Sequence, residues 1–447
     1  MTAGDTTQSA VRRGPPVLEE TLCLVWVYPQ MALTPLSASP VSLGRSAEST
    51  VQLPGSQASR RHAEIVRRGK RWILVDLESK NGSFQNGVQV TEAPLADQDV
   101  VRLGEWLAVV TFVRNTELES TRIVREIQPG LIGGPALWAA FERLRAVAKS
   151  DLNVILVGET GTGKEFFARA LNLLSDRNPF VPVNCASIPE PLADAHLFGY
   201  KKGAFTGAAQ DHAGFFQSAA GGTLFFDELE ALPASVQAKL LRALQEGRVA
   251  PLGHVESENV DARVVCALQR PPQRAVEAGV LRADLFARLN GAQIHLPPLR
   301  ARREEVLAIF ERAIEENYKG TLPSLDPDLA EWLLLYDWPF NAREVVQCAR
   351  RISVEHPGEP VLHTGHLTGS FSENRAPRAS VADGEPKSNA ARAAAPSDER
   401  MLGQLLEALR ETSGNVSLAA KKLHISRQRA YRLMAGRFDA WAARGNG

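Results

Sequence analysis

The sequence predicts a chain of several domains: an all-β sandwich near the N-terminus, a central α/β unit with a helical lid, and an all-α block near the C-terminus. Three observations carry that prediction. Short apolar strands separated by Gly, Asn, Asp and Ser turns run from Thr21 to about residue 115. Apolar strand runs then alternate with helical periodicity from about residue 131 to 295, and helical periodicity alone continues to about 369. After a stretch rich in Ala, Pro, Ser and Gly, helical patterning returns over 398–436.

A chain of 447 residues holds about three domains at the usual ~150 residues each. Its 51 Lys and Arg balance 51 Asp and Glu, so no global field points to nucleic acid or an anionic membrane, and any such signal must be local. Cys23, Cys185, Cys266 and Cys348 are widely spaced without metal-ligand spacing, which suits indifferent thiols in a reducing cytosol. The first residues are polar, and no run approaches the ~18 apolar residues of a membrane span, so a soluble cytoplasmic protein is expected. His363 and His366 stand without other plausible ligands, and no metal site is expected there.

In chain order, residues 1–20 read as a lead without structure. Leu22, Leu24, Trp26 and Tyr28 then fall on one alternating face, and Trp72 to Val75 and Trp106 to Phe112 read as further strands. The turns between them display Gly44-Arg45, Ser59-Arg60-Arg61-His62 and Asn81-Gly82…Asn86-Gly87, side chains suited to an anionic ligand as well as to ordinary turn chemistry. In order and spacing these residues resemble the signature of the forkhead-associated (FHA) domain over about 21–115. That resemblance implies binding of phosphothreonine peptides, with Arg45 and Ser59 at the phosphate, Arg60 beside them, Asn81 on the peptide backbone and His62 structural. Lys80 stands where that family often has Ser or Thr.

Residues 116–130 read as a connector, and Phe141, Leu144 and Ala148 mark an amphipathic helix. Val154 to Val157 is a buried strand ending in Gly158-Glu159-Thr160-Gly161-Thr162-Gly163-Lys164-Glu165, after which a helix begins. Strand, glycine loop and helix form a phosphate cradle: backbone N–H groups approach the phosphates, the helix N-terminus favours negative charge, and Lys164 adds a cation. Glu165 replaces the Ser or Thr that usually binds magnesium. A plain glycine turn is the competing reading. A second apolar strand, Thr223 to Phe226, ends in Asp227-Glu228 and tells against it, because carboxylates at strand C-termini face the ligand crevice of α/β sheets. Asp227 is placed to hold Mg2+ and Glu228 to orient and deprotonate water, which points to an ATPase using ATP and Mg2+.

The lid shows helices around Val306, Phe310, Ala313, Ile314 and Asn317 and from Leu329 to Tyr336. Residues 370–397 read as a flexible linker. In the last block, Lys421, Lys422, Arg427, Arg429, Arg432 and Arg437 occur without an acid between Thr412 and Arg437. Helical patterns on either side of His424-Ile425-Ser426 resemble a helix-turn-helix, with a recognition helix from about Arg427 to Met434. Ser426, Arg427, Gln428, Arg429, Tyr431 and Arg432 are the expected contacts to double-stranded DNA; a merely solvated basic face is the alternative.

Gly203-Ala204-Phe205-Thr206-Gly207-Ala208 lies between the two nucleotide motifs. Over 131–369, with a core to 295 and a lid from 296, the chain resembles the AAA+ domain of the bacterial enhancer-binding proteins, which activate sigma-54 RNA polymerase. The resemblance rests on the Gly158–Glu165 run, in which Glu165 is that family's usual residue, and on Asn184-Cys185-Ala186, Leu197-Phe198-Gly199, Asp227-Glu228 and Pro297-Pro298-Leu299-Arg300. It implies that the 203–208 loop contacts sigma-54 and that Asn184 positions Glu228 according to nucleotide state. It also implies that Arg282 and Arg288 are arginine fingers offered to a neighbouring subunit in a hexameric ring, and that Arg343 is the lid's sensor. The 398–436 block likewise resembles the family's Fis-type DNA-binding domain. Gln269 after Leu268, Phe340, Lys201 and His424 depart from the family pattern. The expected function is a sigma-54-dependent activator whose FHA domain takes its input from Ser/Thr kinase signalling. The rival is an FHA adaptor or repressor on DNA that does not hydrolyse ATP.

Overall fold

The structure, a computed structural model, describes residues 19–37, 39–120, 123–206, 208–318 and 320–367, with scattered positions between 404 and 423. The expected linker over 370–397, the DNA contacts Ser426, Arg427, Gln428, Arg429, Tyr431 and Arg432, and Gly207 of the central loop lie outside the described residues.

The first eleven strands are β1 (Glu20–Tyr28), β2 (Ala32–Pro35), β3 (Val41–Gly44), β4 (Val51–Gln52), β5 (Ala63–Arg68), β6 (Arg71–Asp76), β7 (Ser83–Gln85), β8 (Val88–Val90), β9 (Glu92–Pro94), β10 (Val100–Leu103) and β11 (Trp106–Arg114). They form two facing sheets, β2-β1-β11-β10-β7-β8 and β4-β3-β5-β6-β9. Period-two alternation sends Leu24, Trp26, Leu43, Ile65, Leu74 and Trp106 into the layer between the sheets. Trp26 and Trp106 meet edge to face there, with ring centroids 5.8 Å apart.

The other faces of β1 and β11 are buried too. Cys23, Val25, Val27, Leu107, Val109 and Val113 belong to a cluster shared with the helical lid. The sequence reading placed Tyr28 on the face of Leu24 and Trp26, and the structure corrects this. A register shift against β11 between Trp26 and Tyr28 changes the phase of the alternation. Tyr28 therefore packs on the lid side, where its hydroxyl donates to the Leu325 carbonyl at 2.7 Å.

The expected connector ends in a small hairpin that runs past it, β12 (Arg125–Gln128) and β13 (Leu131–Gly133), whose turn is fastened by the Gly130 N–H donating to Glu126 at 2.8 Å. Next come α1 (Pro135–Ala148), β14 (Val154–Val157), α2 (Lys164–Ser175), β15 (Phe180–Asn184), α3 (Ala193–Phe198), α4 (Phe215–Ser218), β16 (Thr223–Asp227), α5 (Ala234–Glu246), β17 (Arg248–Val249), β18 (Glu258–Asn259), β19 (Arg263–Leu268), α6 (Pro272–Glu277), α7 (Ala283–Leu289) and β20 (Ala292–His295). Strands β15-β16-β19-β14-β20 lie parallel in that order. The apolar character of the central strands β16, β19 and β14 follows from burial on both faces, by α1 and α2 on one side and by α3, α5 and α7 on the other, while the edge strands β15 and β20 carry polar, exposed residues. The glycine loop and Asp227-Glu228 thus emerge at the same, C-terminal edge of the sheet, from β14 and β16 with β19 between them.

The lid consists of 3-10 turns at Leu299–Ala301 and Arg303–Glu305, then α8 (Val306–Asn317), β21 (Ser324–Leu325), α9 (Pro327–Leu335), α10 (Asn341–Glu355) and β22 (Val361–Leu362). Its contact with the sandwich is also polar. Arg102 of β10 pairs with Asp328 at 2.8 Å and with the fully buried Glu331 at 2.6 Å. All four cysteines are free and buried. Among the described residues, no helix is long and apolar enough to cross a membrane.

Glu304 sits where sandwich, lid and the β13–α1 turn meet. It is 1 % exposed, and burial, with the charge of Glu305 next, pushes its carboxyl up to about 8. The folded chain thus holds a proton that the unfolded chain releases near the ordinary 4.5. Stability contributed at this site is present below that lower value and falls as the pH rises toward 8. Glu304→Gln, which needs no proton, should match the parent at pH 4 and exceed it at pH 8 by on the order of 4 kcal/mol. Chemical denaturation at the two pH values measures the difference, and an unchanged difference between the proteins would show that Glu304 does not titrate in this range.

Candidate nucleotide site and its attached loops

The glycine loop spans Gly158 to Gly163 between β14 and α2. Gly163 is the N-cap of α2 at φ 105° and offers no side-chain cap, so the first-turn N–H groups are left for an anion at the positive end of the helix. Lys164 is 8 % exposed, and its ammonium donates to the carbonyls of Gly158 at 2.7 Å and Glu159 at 3.0 Å. Burial lowers its pKa, and the nearby charge of Asp227 opposes that shift. For Asp227 the signs reverse: burial raises the carboxyl and Lys164 draws it back. The two thus form a partly desolvated, mutually stabilising pair. Thr162 closes the loop internally, its hydroxyl donating to Glu159 O at 2.8 Å. Glu165 points outward and pairs with Arg169 at 2.7 Å.

Glu228 follows β16 in a left-handed conformation at φ 56°, a strained placement of the kind found at functional sites. Its carboxylate accepts from Gln269 Nε2 at 2.6 Å, while the Gln269 N–H donates to Glu230 at 3.0 Å. Asn184 lies in register beside Asp227, but its amide oxygen caps the turn Cys185–Ser187 by accepting from Ser187 N–H at 3.2 Å. The amide that meets Glu228 is that of Gln269, whose extra methylene supplies the reach.

The lid closes over the loop. A Cβ on Gly161, which has φ 79°, would lie 2.1 Å from the Phe340 carbonyl and 3.1 Å from Arg343 Cβ, so only glycine fits beneath α10. Arg343 is close enough for its charge to depress Lys164. Three residues without an assigned role in the sequence reading complete the clasp. Arg300 makes two bonds to Glu159 at 2.8 and 2.6 Å, and these hold that carboxyl below its usual range. Asn341, at φ 54°, donates to Thr160 O at 2.9 Å and to Glu159 at 3.3 Å while accepting from Leu299 N–H at 2.7 Å. Arg302, 1 % exposed, reaches Thr162 O at 3.2 Å and contacts Glu305. The sequence signal for Arg300 was its place in the run Pro297 to Arg300 and for Asn341 its position two residues before Arg343, whereas Arg302 lay outside both.

Arg282 and Arg288 are exposed. Arg282 is held by Asp284 at 2.8 Å, and Arg288 donates to the Leu244 carbonyl at 2.7 Å. The 203–208 loop projects from a stem in which Tyr200 bridges both His212 and Leu252. Gly203 N–H donates to Ala208 O at 2.9 Å, Ala204 lies against Gly253, and Phe205 rests on Tyr200 with centroids 5.0 Å apart. Phe205 stays 43 % exposed and Thr206 is exposed, so the tip is displayed rather than buried. Lys201 fastens the stem to Asp211 at 3.4 Å and Glu258 at 3.8 Å.

On the sandwich, Arg45, Arg60 and Asn81 are exposed on neighbouring loops. Ser59 Oγ accepts from Lys80 N–H at 3.0 Å, and Asn81 Nδ2 donates to Gln57 O at 2.7 Å. His62 is fully buried, and burial lowers its pKa. Its Nδ1 accepts from Ser59 N–H at 3.1 Å and its Nε2 faces Gly82 O at 3.3 Å, so a neutral ring joins the two loops. At the end of the lid, His356 stacks on His366 at 4.5 Å near His363. Among the described residues, no group of three or more His, Cys, Asp or Glu is arranged to hold a metal ion.

Residues 132–295 match the sigma-54 interaction domain, and residues 41–104 match the FHA domain. The response regulator protein PilR of Pseudomonas aeruginosa is 35 % identical over 367 residues, which cover 79 % of this chain and 80 % of that protein. The transcriptional activator RocR of Bacillus subtilis is 36 % identical over 303 residues, 66 % of this chain and 65 % of its own length. Among solved structures, NtrX from Brucella abortus in complex with ADP shares 25 % identity and a TM-score of 0.52 over 70 % of each chain. With these matches the chain belongs to the sigma-54-dependent transcriptional activators, and it carries an FHA domain on the N-terminal side of its sigma-54 interaction domain.

Proposed function

We propose that this chain is an ATPase that opens promoters by remodelling sigma-54 RNA polymerase, under the control of a phosphothreonine protein. The observation that carries this reading is the attachment of two unlike devices to one parallel sheet. One is a desolvated Lys164–Asp227 pair beside uncapped helix N–H groups, and the other is a displayed Phe205-Thr206 tip. ATP with Mg2+ supplies the phosphoryl group and the free energy of its transfer to water. Gly158 to Glu165 form the cradle, with Lys164 as its cation and Asp227 as the carboxylate suited to the metal. Glu228 is the base at the attacking water, and its Oε1 is aimed by Gln269. Arg343 reads the nucleotide from the lid. Arg282 and Arg288 sit on the surface, where a neighbouring subunit in a hexameric ring can use them. Asn184, in register beside Asp227, is the switch that positions Glu228 according to nucleotide state.

Gly203 to Ala208 form the contact to sigma-54. An apolar ring on a glycine-hinged stem suits a protein surface, and the loop carries no group fit for phosphate chemistry. Arg45, Ser59, Arg60 and Asn81 bind the phosphothreonine peptide, and residues 398–436 hold double-stranded DNA upstream of the promoter through Ser426, Arg427, Gln428, Arg429, Tyr431 and Arg432. The domains run as 21–115, 131–369 and 398–436, with a linker over 370–397.

Two substitutions separate the parts. Glu228→Gln should retain ATP affinity within about threefold but lose hydrolysis by a factor on the order of 10² or more, because the water loses its base while the cradle is intact. Near-normal turnover, measured as phosphate release, would remove Glu228 from the mechanism, and no turnover in the parent protein would favour a non-hydrolysing adaptor.

Thr206→Ala should keep phosphate release and assembly at parental levels and abolish transcription from a sigma-54 promoter in a purified system. A loss of hydrolysis as deep as that of Glu228→Gln would make the loop part of the ATPase core instead.

A further inference from the structure

The stretch Arg300–Glu305 touches two places that the proposed function treats as separate. On one side, Arg300 clamps Glu159 and Arg302 reaches the Thr162 carbonyl, so both sides of the glycine loop are held. On the other side, Arg303 N–H donates to Gln98 Oε1 at 2.8 Å, and its guanidinium donates to Gln98 O at 3.2 Å. Gln98 belongs to the sandwich. It is held at φ 66°, a strained conformation for a residue other than glycine, and its amide also donates to Thr111 at 3.2 Å.

From Gln98 the contacts continue to the phosphopeptide loops. The next residue, Asp99, accepts from Asn86 Nδ2 at 2.7 Å and from Gln85, at the end of β7. Strand β7 begins two residues after Asn81 and pairs along β10, where Phe84 stands opposite Arg102. Arg102 in turn is locked to Asp328 and Glu331 of α9. The pair β7–β10, with the turn that leads into β10, therefore joins the Asn81 loop to the lid at two points, and one of those points lies on the stretch that grips the glycine loop.

We infer that Arg300–Glu305 couples the two ligand sites, so that a phosphothreonine peptide at Arg45, Ser59 and Asn81 changes nucleotide affinity at Lys164 through Gln98 and Arg303. This rests on the phosphothreonine and ATP readings above. Coupling of binding free energies is reciprocal: whatever factor the peptide imposes on nucleotide affinity, the nucleotide imposes on the peptide. A tether that only recruits a partner predicts a factor of one in both directions.

The test uses the full chain, a phosphothreonine peptide selected from a degenerate library, its unphosphorylated twin, and a non-hydrolysable ATP analogue with Mg2+. Titration of each ligand with and without saturating amounts of the other should give the same factor both ways, about fivefold or more. Gln98→Gly removes the amide at a position whose φ already suits glycine. It should keep each affinity measured alone and a single cooperative unfolding transition, at a somewhat lower temperature because Arg303 N–H and Thr111 lose a partner, while the factor falls toward one. Gln98→Ala serves as a second variant with the same expected loss. Two ligands that bind independently in the parent protein would overturn the coupling, as would an undiminished factor in both variants. A peptide that binds no better than its unphosphorylated twin would remove the phosphothreonine reading and the coupling with it. Failure of the ATP analogue to bind would remove the nucleotide reading and, again, the coupling.

Discussion

Strands β1 and β11 bury both of their faces, and that constraint decides how the N-terminal module can work. A sandwich normally hides one face of each sheet and leaves the other wet. Here Val25, Leu107 and Val109 turn outward and are covered by the lid helices as completely as Leu24 and Trp26 are covered by the facing sheet. Apolar burial contributes roughly 25 cal/mol per Å2, so a continuous cluster of this kind carries the association. The Arg102 pair with Asp328 and Glu331 has a different part. Removing charges from water offsets much of their attraction, and such a pair mainly penalises any docking that would leave one partner alone. The sandwich is thereby held in one register on the lid.

That register matters because the lid is equally committed on its other side. Gly161 lies so close to the Phe340 carbonyl that no side chain fits between them, and Asn341 and Arg300 fill the remaining bonds of the glycine loop with charged and amide groups. The loop's own N–H groups at the start of α2 are left for an anion. The lid thus holds the cradle by its carbonyls and by Glu159, and the cradle's donors stay available. A change in lid angle moves the loop through these bonds without competing for the phosphate ligands.

Much of this was legible in the residues. Val154 to Val157 and Thr223 to Asp227 are strands because they are short, apolar and ended by glycine or acid, and buried parallel strands demand that composition. Helix α1 follows from the spacing of Phe141, Leu144 and Ala148. What could not be read depends on distance in sequence. The Tyr28 side chain changed faces because of a register shift that is a property of pairing, not of local pattern. Asn341 and Arg300 gain their meaning from Glu159, more than a hundred residues away, and polar residues on a helix start or a turn carry no signature of that meeting. The second buried face of β1 did leave a trace, since Leu22 to Val27 is apolar at every position. Alternation was the simpler pattern, and only the lid shows why it is broken.

Three of the departures from the family pattern, Lys201, Gln269 and Phe340, fall at junctions between parts. Lys201 stands at the stem of the displayed loop and ties it to Asp211 and to Glu258 of β18, so two loops that emerge separately from the core share one cation. Gln269 is one methylene longer than asparagine and spans to Glu228, while Asn184 caps its own turn. Phe340 presents its carbonyl to Gly161 while its ring stays 58 % exposed, so its side chain alters the outer rim of the site and its backbone keeps the close approach. In each case the substituted residue changes the reach or charge of a contact between elements and leaves Lys164, Asp227 and Glu228 in place. Such changes alter the energy with which the elements move against one another. They leave the composition of the cradle as it was, because Lys164 and Asp227 make none of these contacts and Gly161 meets Phe340 only through its backbone.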